Sequence, residues 1–165
     1  MEVRILKAAQ WHSARKKLLA FARRYGDSRL SAGGIRALSE LEPSNLERDG
    51  SSSFDSTTAA DNTSAVIAVA LHDGILAGFA FSLGGGEHAC LVVVRPHSRG
   101  LGVGSELLRA LQSHCVRLTC TVATDNPASM GMCFRAGMKA VGMEQGPTGK
   151  PTLRFQSGEE SCPLT

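Results

Sequence analysis

The residues best suited to chemistry lie in one stretch, where an apolar run leads through a glycine-rich loop into a helical pattern. The stretch runs from Leu91 to Ser105 and contains Arg99, followed by Gly100, Gly102 and Gly104. Glycines let a ligand approach the backbone closely, and the free N–H groups at a helix N-terminus attract anions. Because the arginine adds a positive charge, the pattern predicts a loop that binds a diphosphate.

Two other phosphate loops fit this stretch less well. A Walker A loop requires a lysine before its Ser or Thr, and Gly104-Ser105 has none. A dinucleotide-binding loop places its glycines directly after the strand, with an acid about 20 residues further on. Asp125 is tolerably placed for that acid, but Pro96 and the basic spacer before Gly100 do not fit. An NAD-binding protein therefore remains an alternative, with less support than a different diphosphate ligand.

The stretch resembles the acetyl-CoA-binding motif of the GNAT N-acetyltransferase superfamily, whose core is R-x-x-G-x-G. The matching residues are Val94-x-Pro96-x-x-Arg99-Gly100-x-Gly102-x-Gly104, followed by Leu107-Leu108. A second, weaker motif of the superfamily is similar to Asn126-x-x-Ser129 followed by Gly137. The order of predicted elements from Val3 to Phe155 also agrees, so the resemblance covers nearly the whole chain.

The resemblance implies a role for each part of the site. Backbone groups of two strand residues would pair with pantetheine where two strands splay apart, loop N–H groups would hold the pyrophosphate, and two residues of the second motif would contact the cofactor further along. The implied cofactor-binding residues are Val92, Val94, Arg99, Gly100, Leu101, Gly102, Val103, Gly104, Ser105, Asn126 and Ser129.

The resemblance also implies direct attack by an amine on the thioester in a ternary complex, which requires a proton donor for the departing CoA thiolate. The usual donor is a tyrosine seven residues after the asparagine, where this chain has Cys133, and its only tyrosine is Tyr25. A thiol has a reference pKa of about 8.5, close to that expected for the leaving thiol. Cys133 is therefore the predicted acid, and the alternatives are a small packing residue with water as donor, or no dedicated acid.

The predicted bases are Glu87 and His88, at the start of the strand that leads to the cofactor motif, where the superfamily often places a carboxylate. An unperturbed imidazole has a pKa of about 6.5, which suits proton transfer near neutrality. The alternative is that both are solvated residues at a strand start.

These assignments predict an enzyme that transfers an acetyl group from acetyl-CoA, its co-substrate, to a primary amine. The length of the acyl group is left open, since a longer acyl-CoA would use the same loop. The acceptor is left open as a small metabolite, an antibiotic or a peptide N-terminus. The missing tyrosine, together with Met138 where phenylalanine is usual, supports an alternative of another class. In that alternative the chain is a CoA-binding sensor or regulatory module that has lost turnover.

The elements that must position these residues form one α+β, GNAT-like domain over residues 1–165, a mixed central sheet of about six to seven strands flanked by about four helices. Asp73-Gly74 predicts a type I′ hairpin between Ala65–Leu71 and Ile75–Leu83. The predicted helices and strands that follow are Ala89–Val94, Gly104–Cys115, Leu118–Ala123, Asn126–Ala136, Met138–Met143 and Thr152–Phe155. A polar segment at 42–64 predicts a flexible loop, either a lid or an insertion.

Composition narrows the partners and the compartment. The net charge of +3 and the 5% of aromatic residues argue against nucleic acid as the main partner. No run approaches ~20 apolar residues, and no signal peptide is visible, so we expect no membrane partner and a cytoplasmic protein. The five cysteines contain no Cys-x-x-Cys pair, and Cys115 and Cys120 with His114 lack zinc spacing, so no metal is expected. A homodimer stays open, because superfamily members are often dimers.

Overall fold

The computed structural model describes residues 1–27, 29–46 and 64–157. Its seven strands are β1 Glu2–Ile5, β2 Ala65–His72, β3 Ile75–Leu83, β4 Ala89–Val94, β5 Thr119–Ala123, β6 Met138–Gln145 and β7 Pro151–Ser157. Within the described ranges, the four α-helices are α1 Ala8–Tyr25, α2 Ala32–Ser39, α3 Val103–Gln112 and α4 Pro127–Arg135. The predicted α+β architecture, with its numbers of strands and helices, is confirmed.

The strands lie in two antiparallel sheets that part between β4 and β5. The first sheet has the order β1-β2-β3-β4 and the second the order β5-β7-β6. The sheets meet where the N–H of Thr119, the first residue of β5, donates to the carbonyl of Gly85 in the turn before β4, at 2.8 Å. No ladder joins β4 to β5 among the described strands, so a gap opens beyond that contact.

The hairpin between β2 and β3 has the predicted turn. Asp73 and Gly74 have φ of 50° and 76°, and both flanking residues, His72 and Ile75, are paired. Two successive residues with positive φ match the right-handed twist of the strands, as a type I′ turn requires. The hairpin aligns β3 with β2 and, through it, β4 with the rest of the first sheet.

The first sheet separates two hydrophobic cores. Large side chains such as Phe79 and Phe81 face α1 and α2, where they pack with Trp11 and Phe21. The opposite face carries alanines, which let α3 lie close to the sheet. The residues of that second core include Ala68, Ala70, Ala80, Leu107, Leu108, Leu111 and Phe155. Burying each leucine stabilises the fold by about 1.5–3 kcal/mol, so α3 is anchored firmly below the loop that precedes it.

The ends of the segment predicted as a flexible loop at 42–64 are fixed in place. Pro43–Asn45 forms a 3-10 turn, and Leu46, only 2% exposed, pairs in parallel with Ala65 at the start of β2. The remainder, residues 47–63, lies outside the described residues. Among the helices that are described, none combines the length and apolar character needed to cross a membrane.

Candidate functional site

The predicted diphosphate loop joins the end of β4 to the start of α3. Gly100 and Gly102 have φ of 76° and 81°, in the left-handed region, and Gly102 is the N-cap of α3. The helix has its first backbone bond from the Glu106 N–H to the Gly102 carbonyl, at 3.0 Å. The N–H groups of Val103 to Ser105 therefore precede the hydrogen-bonded turns and point out of the helix end. This arrangement suits an anion.

The glycines of the loop have two different roles. A Cβ placed on Gly100 or Gly102 would meet no atom within 4 Å, so these residues leave the backbone open to a ligand. A Cβ on Gly104 would instead clash with the Met132 thioether. Gly104 therefore serves close packing of α3 against α4, whereas Gly100 and Gly102 serve conformation and access.

The structure places Arg99 as a brace for the loop. Its Nε donates to the Val94 carbonyl at 3.1 Å, a terminal N–H donates to the Tyr25 carbonyl at 2.9 Å, and the guanidinium pairs with the Asp27 carboxylate at 2.5 Å. These bonds join the loop to the end of α1, and the carboxylate offsets the arginine charge. The direct contact with the cofactor that the resemblance implied for Arg99 stays a prediction.

One edge of β4 is open toward the gap. The Arg95 N–H donates to the Ala77 carbonyl at 2.8 Å, which fixes the alternation of bonds along the β3–β4 ladder. The N–H groups of Val92 and Val94 therefore point away from β3, toward β5. Since no described ladder occupies that edge, both N–H groups are available to an extended ligand; the Val94 carbonyl is held by Arg99.

The second motif forms the start of α4, across the gap from the loop. Asn126 is the N-cap, and its Oδ1 accepts a hydrogen bond from the Ser129 N–H at 3.3 Å. The bond between Asn126 and Ser129 stabilises the start of the helix, and their predicted contact with the cofactor stays a prediction. The Ser105 hydroxyl lies 3.3 Å from the Met132 carbonyl, to which it donates, and so links α3 to α4.

Cys133, the predicted acid, is a core residue in this structure. Its side chain is fully buried, and its sulfur lies 3.6 Å from that of Cys120. The hydrogen bond with Cys120 and the burial both raise the pKa of the Cys133 thiol. A thiol with a raised pKa and no access to solvent is a poor proton donor, so the structure favours the packing alternative.

Glu87, one predicted base, holds the two sheets together at the start of the gap. Its Oε1 accepts a hydrogen bond from Arg154 of β7 at 2.6 Å and one from the Thr119 hydroxyl of β5 at 3.1 Å. The bond from Arg154 is the main reason that the pKa of Glu87 is lowered, and the bond from Thr119 adds to it. His88 follows in the same turn and is exposed. Thr119 and Arg154 come from distant strands, so no local sequence pattern could indicate them.

The depressed pKa of Glu87 predicts a pH-dependent stability that Glu87→Gln removes. A lowered folded-state pKa means that the unfolded chain binds more protons, so this stabilisation is present above the ordinary pKa of about 4.3 and lost as pH falls through the folded value. Since the side chain is 49% exposed, screening limits the contribution, and we expect about 0.5 kcal/mol at pH 7. Urea unfolding of both proteins from pH 7 to pH 3 measures it.

Glu40→Gln is the matched control, because Glu40 forms an exposed pair with Arg36 that joins no two elements. We expect the Glu87→Gln difference to shrink toward zero in acid and the Glu40→Gln difference to stay small throughout. A Glu87→Gln difference that is constant across the pH range would contradict the assignment.

A hollow of about 330 Å³ lies elsewhere, between the beginning of α1 and the segment after α2. Trp11, Arg15 and Leu41 are among its lining residues. Trp11 precedes Tyr25 by fourteen positions on α1, which corresponds to roughly 20 Å along the helix axis. Because Tyr25 contacts Arg99, this hollow is separate from the loop that suits an anion.

An open strand edge that leads into a left-handed glycine loop and a helix N-terminus defines a protein able to bind a long ligand that carries phosphate. Residues 34–138 match the Acetyltransferase (GNAT) family. This match spans more than half of the chain, which therefore belongs to that family. No curated protein sequence matches the chain.

Solved structures agree with this fold at low sequence identity. An acetyltransferase of the GNAT family from Bacillus cereus is 18% identical with a TM-score of 0.61, over 94% of this chain and 96% of the other. AAC(6')-Ib in complex with paromomycin and acetyl-CoA is 16% identical with a TM-score of 0.60, over 94% and 91%. Spermidine N-acetyltransferase SpeG from Vibrio cholerae, solved as a point mutant, is 14% identical with a TM-score of 0.54, over 94% of each chain. The GNAT-like fold predicted from the sequence is confirmed.

Proposed function

We propose that this chain transfers an acetyl group from acetyl-CoA to a primary amine, by direct attack of the amine in a ternary complex. The observation that carries the proposal is the continuity of the site. The open edge of β4 is followed by a 3-10 turn at Pro96–Ser98, then by the left-handed Gly100 and Gly102 and the N-terminus of α3. A ligand with an extended amide arm and a diphosphate matches that sequence of N–H donors.

CoA fits this site because the backbone N–H groups that could bind it have no partner within the described strands and helices. The N–H groups of Val92 and Val94 would meet the amides of the pantetheine arm, and those of Val103 to Ser105 would meet the pyrophosphate. Leu101 is 71% exposed, so we assign the contact of this residue with the pyrophosphate to its backbone and not to its side chain. In the pair Asn126 and Ser129, the cap uses Asn126 Oδ1; the Asn126 amide nitrogen and the Ser129 hydroxyl are the groups that would face the cofactor.

A primary amine as acceptor is supported by two of the structural relatives. One was solved with an aminoglycoside and acetyl-CoA, and another is named for N-acetylation of spermidine. Acetyl transfer from a thioester to an amine needs a proton acceptor, because an ammonium group must lose a proton before its nitrogen can attack. The hydrogen bond from Arg154 lowers the pKa of Glu87 and makes this carboxylate a weaker base, so we assign the step to the exposed His88 in the same turn. Because Cys133 is buried, we assign protonation of the leaving thiolate to water.

Turnover with a panel of amines tests the proposal. We expect CoA release from acetyl-CoA to be stimulated by spermidine, by an aminoglycoside or by a peptide with a free N-terminus, and His88→Gln to lower kcat by roughly 10²-fold. Cys133→Ala should leave the pH–rate profile unchanged. Release of CoA that no amine stimulates, from a protein that still binds acetyl-CoA, would contradict the proposal.

The second candidate function is a CoA-binding sensor or regulatory module without turnover. The burial of Cys133 favours it, because the position that normally supplies the acid offers no accessible proton donor. Both candidates predict CoA binding, so binding alone does not distinguish them. Stimulation by an amine supports the enzyme, and binding without stimulation supports the sensor.

A further inference from the structure

Three cysteines from separate elements meet beside the gap between the two sheets. Cys90 lies on β4, Cys120 on β5 and Cys133 on α4, and all three are free thiols. The Cys120 and Cys133 sulfurs are 3.6 Å apart. Cys90 packs against the core that contains both of them and is close enough to raise the pKa of Cys120. We refer to Cys90, Cys120 and Cys133 as the thiol cluster.

Access to the thiol cluster is graded from one end to the other. Cys90 is half-buried, Cys120 is 8% exposed and Cys133 is fully buried. On β4, the side chains of Cys90, Val92 and Val94 alternate with buried ones and share the face that packs against the core containing the other two thiols. A reagent entering the cluster thus meets Cys90 first.

The two inner thiols resist direct oxidation. The hydrogen bond with Cys133 lowers the pKa of Cys120, but the proximity of Cys90 and burial together outweigh it, so that pKa is raised. The pKa of Cys133 is raised by Cys120 and by burial. The thiolate is the reactive form of cysteine, so these two react slowly with any external oxidant. A disulfide carried by an adjacent cysteine offsets this slowness, because it is held beside these sulfurs at a high effective concentration.

We propose that Cys90 is a modification site for small linear disulfides and that it passes the oxidation inward to a Cys120–Cys133 disulfide. The sulfur separation of 3.6 Å must shorten to a bond of about 2.05 Å, which asks for a small shift of α4 toward β5. The bond would fix α4, and with it Asn126 and Ser129, against the second sheet. This chemistry needs no acyl transfer and holds for either candidate function.

The steps balance with a disulfide as the only oxidant. The Cys90 thiolate attacks the disulfide, a mixed disulfide forms, and one small thiol leaves. The Cys120 sulfur then attacks Cys90 and gives its proton to the second small thiolate, which leaves as a thiol, and a Cys90–Cys120 bond forms. Finally the Cys133 sulfur attacks Cys120 and releases Cys90 as a thiol. Two protein thiols are oxidised, one disulfide is reduced to two thiols, and Cys90 is regenerated.

The experiment treats the full chain, carrying Cys162→Ser, with 2-hydroxyethyl disulfide and follows intact mass and peptide maps. Cys162 is replaced because it lies outside the described residues. We expect the protein to lose two hydrogens without retaining reagent, and the map to show a Cys120–Cys133 bond. Cys90→Ser should slow formation of that bond by roughly tenfold or more, because the accessible thiolate is gone.

Two further variants make the result decisive. Cys120→Ala removes the second step, so the reagent should stay on Cys90 as a mixed disulfide. Cys115→Ser is the matched control, since Cys115 is also half-buried but its sulfur lies beside the Ser82 hydroxyl at 3.8 Å; this variant should behave like the parent. The proposal is overturned if Cys90→Ser forms the inner bond at the parent rate, if the parent retains reagent or forms a bond to Cys115, or if Cys120→Ala leaves Cys90 unmodified. Thermal melting of each variant confirms that a slow reaction reflects a missing thiol and not a lost fold.

Discussion

Replacement of Gly102 by tryptophan is expected to abolish the stabilisation of the chain by acetyl-CoA. A ligand that binds only the folded state stabilises it by about 2.7 kcal/mol at 100 times its dissociation constant. The indole would occupy the open space above Gly102, where the glycine Cβ position meets no protein atom within 4 Å. We expect the shift in Tm with acetyl-CoA to disappear in Gly102→Trp, while ATP and NAD shift neither protein to the same extent.

The variant also strains the backbone, so it requires a control with the same strain. Gly74 has φ of 76°, close to the 81° of Gly102, and equally open surroundings, but it lies in the β2–β3 turn away from the loop. Gly74→Trp should lose comparable stability without ligand and keep the full response to acetyl-CoA. A response that survives in Gly102→Trp would show that the loop does not bind the ligand and that its glycines only form a turn.

Local pattern made the loop predictable, because each of its requirements lies within a few residues. A strand, positive-φ glycines and a helix start follow one another between Leu91 and Ser105, and the structure has all three in that order. The predicted helix at Gly104–Cys115 begins one residue earlier, at Val103, since Gly102 is the left-handed N-cap. The division of a single predicted sheet into two was not visible, because strand pairing joins residues far apart in sequence.

Side-chain partners were the part that sequence could not predict. The residues next to Arg99 in the sequence predict that it binds phosphate. In the structure its side chain bonds to Tyr25 and Asp27 at the end of α1, which no local pattern indicates. The sequence around Glu87 predicts an unpaired carboxylate, whereas the structure pairs it with Arg154, which is 67 residues away in the chain. Likewise, Cys133 matches the position of a catalytic acid in the motif, but whether a side chain reaches the ligand depends on its length and burial, and this one ends inside the core.

We expect the largest loss of stability from a substitution at Gly86, whose contact with Thr119 keeps the two sheets at their observed spacing. Gly86 has φ of 88°, and a Cβ added there would overlap the Thr119 carbonyl oxygen and lie 2.9 Å from its carbon. The obstacle is backbone in a buried strand, which cannot rotate away. We expect Gly86→Ala to lower the free energy of unfolding by about 3 kcal/mol or more, as overpacking adds to the backbone strain.

Gly74→Ala separates the two contributions, because it imposes a similar positive φ where no atom lies within 4 Å. Its cost should be the strain alone, about 1 kcal/mol, and urea unfolding of both variants measures the difference. Equal losses would mean that the sheets move apart at Thr119 without penalty, so the junction would not set the gap. A larger loss in Gly86→Ala, together with weaker acetyl-CoA binding, would show that the close contact of Gly86 with Thr119 fixes where β4 and β5 part. It would therefore also fix the open edge on which the proposed site depends.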